Sequence, residues 1–532
     1  MDGDYDFIVV GAGSAGGPVT ARLAEAGHRV LLLEAGPRDR NPWIHVPLGF
    51  AKTFLDPAVN WKFSTDAEPH VGGRRIYWPR GKVLGGSSSI NGMVYIRGVA
   101  SDYDHWRQLG NAGWSFQDCL PYFRRLEDHP AGEGGLHGAG GPVGVGEITY
   151  RNALSEAFIA GGMAAGLPRN DDFNGSAQEG VGYYHLTTRN ARRSSTARAY
   201  VAAAEKRPNC RVETGVLVER VEIADGRATG VRYRRGGGPA ATALARREVV
   251  LCAGAINTPW LMQLSGVGPA ALLREHGVDV VRDAPGVGEN LQDHWGVRSA
   301  YRANAAVTVN DELGSFAGRV GAALRYALFR RGPLTISAGH VGAFAKVMPE
   351  AADPDVQLHF FPWSSDRLDR GPDPFPGFTI LMNQSRPRSA GRLRIKSADP
   401  SVRPSMIANY LADEHDRRVV VEGLKMVRRI ARTAPLKTFV AEERLPPPDS
   451  ADDAALLDYA RRQGTSAYHP VGTCRMGGDP MAVVDARLRV HGVAGLRIAD
   501  ASIMPTLVSG NTNAACMMIG EKAADLVLAE SR

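Results

Sequence analysis

The 532-residue sequence predicts an α/β fold built on a doubly wound parallel sheet. Two apolar runs, at residues 7–10 and 30–33, flank a glycine turn that opens a helix, and a third run at 248–253 also ends in a glycine turn. Strands covered by helices on both faces have this continuous apolar character. A chain of this length buries a large core, so its stability requires no disulfide or structural metal.

The composition favours a globular enzyme. Hydrophobic residues make up 44% and charged residues 22% of the chain, which excludes disordered, collagen-like and coiled-coil proteins. The net charge is +7, and the basic residues occur in short, scattered pairs, such as Arg330 and Arg331, with no run of five or six. We therefore predict no nucleic-acid partner.

The cysteines and the N-terminal residues bear on the cellular compartment of the protein. Five cysteines lie far apart without a CxxC pair, which predicts reduced thiols, no metal site and a cytoplasmic protein. Residues 1–17 lack the basic region and the cleavage site of a signal peptide. The sequence contains no run of 18 apolar residues, so we predict no transmembrane segment. Peripheral membrane association and oligomeric state stay open.

The first glycine turn has the GxGxxG spacing of a Rossmann-like dinucleotide site. Gly11 permits the tight turn, Gly13 lets the backbone approach a pyrophosphate, and Gly16 allows close packing of helix and strand. Glu34, at the carboxyl end of the second strand, can accept hydrogen bonds from both adenosine ribose hydroxyls. This motif alone does not distinguish FAD from NAD.

Two further segments indicate a ligand site. Residues 79–98 mix glycine and serine with apolar side chains, which predicts an ordered loop against a flat ligand rather than a linker. Near the carboxyl end, Pro470 disfavours helix at His469 and holds it on a rigid turn. Asn511 and Thr512 precede an apolar-periodic run and are typical of a helix N-cap.

Four motifs together resemble the glucose-methanol-choline (GMC) oxidoreductases, the flavoprotein family of alcohol dehydrogenases and oxidases that includes choline dehydrogenase. They are GAGSAGG from residue 11, GKVLGGSSSIN from 81, GAINTPWLMQLSGVGP from 254, and SAYHPVGTCRMG from 466 with NTNAACMMIGEKAAD from 511. The resemblance covers essentially the whole chain and implies FAD as cofactor. The FAD contacts that it implies are Gly11, Gly13, Gly16, Glu34, Arg80, Gly85, Gly86, Ser87, Asn91, Gly92, Val94, Val218, Ala253, Asp500, Asn511 and Thr512.

The resemblance also implies a mechanism. A primary alcohol would be oxidised to an aldehyde by hydride transfer to flavin N5, with His469 as base and Asn513 bonded to the substrate oxygen. An unperturbed histidine pKa near 6.5 suits that role at neutral pH. Some members tether the flavin through a histidine whose matching position here is Ile90, so we predict non-covalent FAD. The electron acceptor, oxygen or a quinone, stays open.

Family analogy places His359, Phe361, Trp363 and Tyr468 at the substrate wall. An aromatic pocket suits an aromatic or allylic alcohol, or a choline-like cation through cation–π contact. An alternative function is that of a hydroxynitrile-lyase-like enzyme, because some proteins of this fold hold FAD without net redox turnover.

Because the motifs are dispersed, we predict a discontinuous FAD-binding domain at 1–150, 190–299 and 464–532. Residues 151–189 and 300–463 should form a substrate-binding domain of α+β type whose sheet covers the flavin. Alternating patterns at 355–363 and 378–384 predict two neighbouring strands of that sheet.

Overall fold

Two seven-stranded sheets organise residues 5–366 and 371–530, which are the residues that the computed structural model describes. In the first, the dinucleotide sheet, the central strand Tyr5–Val10 pairs in parallel with Val30–Glu34 and with Ala240–Leu251. The order across this sheet is Cys210–Thr214, Val30–Glu34, Tyr5–Val10, Ala240–Leu251, Arg227–Arg235 and Val216–Ala224, with Leu496–Ile498 also paired to Ala240–Leu251. The predicted α/β class with a Rossmann-like sheet is confirmed.

The strand Ala240–Leu251 serves two parts of this sheet. Its second half pairs in parallel with Tyr5–Val10 and Leu496–Ile498, whereas its first half pairs antiparallel with Arg227–Arg235. The apolar end of the parallel part, Val249, Val250 and Leu251, is buried on both faces, as expected for a strand that helices cover.

Helices Gly16–Glu25 and Asn513–Glu530 pack closely beside the dinucleotide sheet. A side chain at Gly520 would overlap the backbone of Ala15, so glycine permits this approach. The α-helices are Gly16–Glu25, Pro42–His45, Phe50–Thr53, Ala100–Gln108, Phe116–Leu126, Ala153–Ala164, Ala202–Ala204, Gly254–Leu264, Ala270–Glu275, Val309–Gly314, Phe316–Phe329, Glu414–Arg432, Ala434–Lys437, Asp453–Gln463 and Asn513–Glu530.

The second sheet, the covering sheet, is antiparallel. Both strands predicted for it are present, as Val356–Phe361 and Gly377–Gln384, and they are neighbours, with His359 opposite Leu381. Its order is Val440–Leu445, Trp295–Ala303, Gly377–Gln384, Val356–Phe361, Val341–Ala345 and Gly180–Tyr183, with Thr465–Ser466 paired to Trp295–Ala303. Short two-stranded ribbons pair Phe63–Ser64 with Tyr77–Trp78, Glu127–Asp128 with Val143–Gly144, Thr188–Arg189 with Arg192–Arg193, Val267–Gly268 with Arg282–Asp283, and Arg392–Arg394 with Ser405–Ile407.

Two strands cross the predicted domain limits. Trp295–Ala303 begins before the limit at 299, and Thr465–Ser466 lies after the limit at 464, yet both pair in the covering sheet. The chain therefore enters the covering sheet earlier, and leaves it later, than the motif positions suggest. The division into two discontinuous domains stays a prediction.

All five cysteines are buried and none forms a disulfide. Within residues 5–366 and 371–530, none of the helices combines the length and the apolar character that crossing a membrane demands.

Candidate active site

One elongated cavity of about 390 Å³ lies between the dinucleotide sheet and the covering sheet. Its wall includes strand ends of the first sheet, such as Val10 and Leu33, and side chains of the second, such as Leu381. Every predicted site residue except Gly16 and Gly85 lines this cavity. The structure thus brings together residues that are separated by up to several hundred positions in the chain.

Gly16 and Gly85 act on the backbone around the cavity. A Cβ atom on Gly16 would overlap the carbonyl oxygen of Gly11, so only glycine lets the first helix begin this close to the strand. Gly85 has a φ of +90°, a left-handed conformation that favours glycine. The two glycine segments also meet, because a Cβ atom on Gly86 would lie 2.7 Å from the Cα atom of Gly13.

Glu34 marks one end of the cavity, together with Val218. Its two carboxylate oxygens accept backbone hydrogen bonds from Ala12, at 3.0 Å, and from Gly36, at 2.8 Å. Burial raises the pKa of this carboxyl to about 7. The side chain is therefore held rigidly at the position where an adenosine ribose is expected.

Three helices begin at the cavity wall. Ala15 precedes the helix Gly16–Glu25, Ala253 precedes Gly254–Leu264, and Asn513 opens Asn513–Glu530, and all three residues line the cavity. A helix carries partial positive charge at its N-terminus, so three such ends favour an anionic ligand group.

Asp500 ties one of these helix ends to the cavity. Its Oδ2 atom accepts hydrogen bonds from the backbone of Gly254, at 2.8 Å, and from the Thr258 hydroxyl, at 2.6 Å. Its Oδ1 atom accepts from the backbone of Ser502 at 2.8 Å, and burial raises the pKa of the carboxyl. Asp500 lines the cavity, as predicted for a flavin-contacting acid, and also caps the protein backbone.

His469 lies at the other end of the cavity in a network of buried polar groups. Its backbone N–H donates to Asp293 Oδ1 at 2.7 Å, and Asp293 also accepts from Tyr410 and Ser466. Arg80 donates to the carbonyl oxygen of Tyr468. The turn before Pro470 is thus held on both sides, as its rigid sequence predicts.

A chain of hydrogen bonds defines the tautomer of His469. The Nε2 atom of His294 lies 3.0 Å from the carbonyl oxygen of Ser385, which can only accept, so this nitrogen carries the hydrogen. The Nδ1 atom of His294 is then an acceptor, and it lies 2.9 Å from Nδ1 of His469. His469 must donate from Nδ1, which leaves a lone pair on its Nε2 atom.

Both histidines are neutral at physiological pH. Burial lowers the pKa of His294 to about 4. Burial is the main cause that holds the pKa of His469 well below 6.5, and the nearby Arg80 cation acts in the same direction. His469 therefore presents an unprotonated nitrogen to the cavity, as a general base requires.

The amide that meets this nitrogen belongs to Asn511. Its Nδ2 atom lies 3.1 Å from Nε2 of His469, and its Oδ1 atom accepts from Gln357 at 3.1 Å, which fixes the amide orientation. Asn513, predicted to bond the substrate oxygen, also lines the cavity, and its Oδ1 atom accepts a hydrogen bond from Ser14 at 2.7 Å, beside the first glycine turn. The structure therefore pairs His469 with Asn511, and the role of Asn513 at the substrate oxygen stays a prediction.

Aromatic side chains surround the cavity near His469. The rings of Phe361 and Trp363 lie 5.7 Å apart in an edge-to-face arrangement, and those of Phe54 and Tyr468 lie 5.5 Å apart. His359 is buried, which lowers its pKa to about 4. Among the described residues, the only carboxylates of the cavity wall are Glu34 and Asp500, both bonded to backbone N–H groups.

Several functional residues escape sequence reasoning. His294 and Gln357 orient His469 and Asn511, and Phe54 adds an aromatic wall. In the sequence, the only local indication of these residues is the adjacent pair Asp293 and His294 before a strand. Nothing in the spacing connects this pair to residue 469. Such contacts are set by how the covering sheet meets the dinucleotide sheet.

The glycine-rich Rossmann-like site and the neutral histidine in one cavity define a dinucleotide-cofactor oxidoreductase. The models of the GMC oxidoreductase family match residues 5–296 and 387–520, and the chain belongs to this family. It is an oxidoreductase that acts on CH–OH groups.

Similar proteins match this chain over nearly its whole length and over nearly their own. The chain is 41% identical to an oxygen-dependent choline dehydrogenase of Vibrio vulnificus, over 99% of this chain and 95% of the relative. It is 40% identical to an alcohol dehydrogenase [acceptor] of Pseudomonas putida, over 98% and 96%. Among solved structures, an FAD-dependent oxidoreductase from Chaetomium thermophilum aligns with a TM-score of 0.92 at 27% identity, over 99% of this chain and 100% of that chain.

Proposed function

We propose that this enzyme binds FAD without a covalent bond and oxidises a neutral, apolar primary alcohol to an aldehyde. The carrying observation is the hydrogen-bonded series from Ser385 through His294 to His469, which presents an unprotonated nitrogen beside Asn511. That nitrogen lies in the same cavity as the dinucleotide motif.

The cavity residues fit FAD. Gly13 and the helix start at Ala15 would receive the pyrophosphate, and Glu34 and Val218 the adenosine half. The loop at 79–98 and Asp500 would hold the flavin half, with Asn513 near the first glycine turn. When bound, FAD supplies the electron sink that takes a hydride from the alcohol carbon.

Ile90 supports non-covalent binding. It lines the cavity with a hydrocarbon side chain, and residues 79–98 contain no histidine or cysteine. Acid precipitation should therefore release yellow flavin into the supernatant, whereas a covalent flavin would stay in the pellet.

His469 and Asn511 would both act on the hydroxyl group of the alcohol, in different roles. Nε2 of His469 accepts the hydroxyl proton while the Asn511 amide donates to the alcohol oxygen, which aligns the carbon that is to be oxidised. General-base assistance of this kind contributes about 10² to 10⁴-fold in rate. Burial keeps the base neutral and ready in the resting enzyme.

The cavity wall favours an uncharged substrate. Aromatic rings surround the base, and the described wall offers a cationic substrate no carboxylate besides Glu34 and Asp500. Desolvating a quaternary ammonium without a counter-ion is costly. Choline is the second candidate, because aromatic faces attract such cations and a relative at 41% identity is named a choline dehydrogenase.

Anaerobic mixing of the yellow enzyme with benzyl alcohol, 1-octanol and choline tests the proposal. We expect the two apolar alcohols to bleach the flavin band faster than choline at equal concentration. His469→Ala should slow bleaching by about 10²-fold or more and retain FAD. His105→Ala, at an exposed position of the helix Ala100–Gln108, is the matched control and should leave the rate unchanged.

Other outcomes discriminate the alternatives. Faster bleaching by choline would replace the substrate assignment, and unchanged bleaching in His469→Ala would remove the base assignment. Cleavage of a cyanohydrin without bleaching by any alcohol would favour the lyase. Reoxidation of the bleached enzyme by oxygen or by a quinone analogue identifies the acceptor.

A further inference from the structure

The helix Phe316–Phe329, hereafter the outer helix, presents apolar side chains to solvent. Only Ala322 and Tyr326 of its 14 residues are buried. Phe316 is 76% exposed, Leu324 56% and Leu328 70%. A surface helix normally buries its large apolar residues, so the exposure of these three side chains is unusual.

The exposed residues form one continuous stripe. Phe316, Val320, Leu324 and Leu328 follow each other at intervals of four, so their side chains lie along one face. At 100° per residue this face is opposite Ala322 and Tyr326, and the positions between its large side chains are alanine and glycine. The apolar face is therefore uninterrupted by charge.

Arginines border the stripe. Arg319 and Arg325 lie on its two sides, and Arg330 and Arg331 follow the last turn. The outer helix contains no acidic residue, and none of these four arginines forms a salt bridge with a carboxylate in the described part of the chain.

In the described part of the chain, the two acids that precede the outer helix form no salt bridge with these arginines. Asp311 accepts hydrogen bonds from Thr308 as a helix cap, and Glu312 accepts from the Tyr150 hydroxyl. The outer helix thus combines an apolar face with a basic border.

We propose that the outer helix docks the enzyme on an anionic phospholipid surface. Apolar side chains of such a helix insert to the acyl boundary while guanidinium groups meet lipid phosphates. With 14 residues, the helix is shorter than the roughly 20 that span a bilayer, so it lies in the interface. A two-fold contact between copies fits less well, because it would bring the arginine borders of both chains together.

The outer helix is connected to the cavity wall by a short segment of chain. It leads into the 3₁₀ helix Pro333–Thr335, and the next residues contact the loop at 79–98. The Ser337 hydroxyl donates to the carbonyl oxygen of Gly92, and Ala338 lines the cavity. A lipid surface bound to the outer helix would therefore be connected to the cavity wall through this segment.

Vesicle flotation of the FAD-loaded enzyme tests the proposal. We expect binding to vesicles of phosphatidylglycerol and phosphatidylcholine, and weaker binding to phosphatidylcholine alone or at high salt. Leu324→Glu should reduce the partition coefficient by about tenfold or more, and Arg325→Gln by about fivefold. Leu244→Glu is the matched control, because Leu244 is 52% exposed on a strand of the dinucleotide sheet.

Three results would overturn the proposal. They are no flotation of the wild-type enzyme, equal losses for Leu324→Glu and Leu244→Glu, and binding that is the same with and without phosphatidylglycerol. Sedimentation velocity on the same samples identifies the rival occupant, because a dimer that Leu324→Glu dissociates, without vesicle binding, would make this face an interface between copies. Retained alcohol-dependent bleaching shows that each variant is folded.

Discussion

The carbonyl oxygen of Ser385 determines which nitrogen of His469 can accept a proton, although the two residues do not touch. It does so through His294, whose two ring nitrogens are bonded at 3.0 and 2.9 Å. His294 is a positioning residue, since it orients the base without lining the cavity. At this scale, function depends on the direction of a hydrogen bond as well as on residue identity.

Substitutions at His294 test this relay. His294→Phe removes the acceptor for Nδ1 of His469, so we expect anaerobic flavin reduction to slow by about tenfold or more with FAD retained. His294→Gln offers an amide oxygen to His469 and an N–H to Ser385 and should recover part of the rate. If both variants reduce the flavin at the wild-type rate, the relay does not position the base.

The lowered pKa of His469 predicts the pH dependence. Neutral His469 is the active form, and it is lost only as the pH falls through the lowered pKa. We therefore expect kcat/KM for an alcohol to stay level from about pH 8 to about pH 6.5 and to decline only at lower pH. Flavin absorbance at each pH controls for cofactor loss, and a decline that begins above pH 7 would contradict a buried neutral base.

At the scale of elements, glycine sets how closely helices approach the cavity. The helix Gly16–Glu25 begins against the backbone of Gly11, and the helix Asn513–Glu530 passes Ala15 at Gly520. These approaches bring helix N-termini to the place where the phosphates are expected. The GxGxxG spacing can be recognised in the sequence. The role of Gly520 cannot, because it depends on the contact between two helices from opposite ends of the chain.

A pair of glycine substitutions separates packing from helix propensity. Gly16→Ala would place a Cβ atom on the Gly11 carbonyl oxygen, so we expect a lower melting temperature and loss of FAD. Gly321→Ala, in the outer helix with no neighbour within 4 Å of the added Cβ, should be neutral or stabilise by about 1 kcal/mol. Thermal unfolding and the flavin-to-protein absorbance ratio report both effects, and equal behaviour of the two variants would refute the packing argument.

At the scale of the whole molecule, the cavity lies between two sheets with different tasks. The dinucleotide sheet carries Glu34 and the glycine turns, while the covering sheet carries His359 and Gln357. Their contact places Asn511 against His469. A cofactor that spans the cavity would therefore join the two sheets.

Cofactor removal tests this link. A ligand in hundredfold excess over its Kd stabilises the folded state by about 2.7 kcal/mol. We expect FAD to raise the melting temperature of the apoenzyme, and ADP to raise it less, because ADP would occupy only the end near Glu34. Equal shifts for ADP and FAD would indicate that the flavin half contributes no contact between the sheets.

Sequence patterns are sufficient to predict the α/β class, the dinucleotide turn, two strands of the covering sheet and the family resemblance. These features are local, since hydrophobic periodicity, glycine spacing and a proline after a histidine act over a few residues. In contrast, the contact of Asn511 with His469, and the tautomer of His469 that His294 sets, become visible only in the folded chain. Such contacts depend on how segments that are distant in the chain pack against each other, and no local pattern encodes that packing.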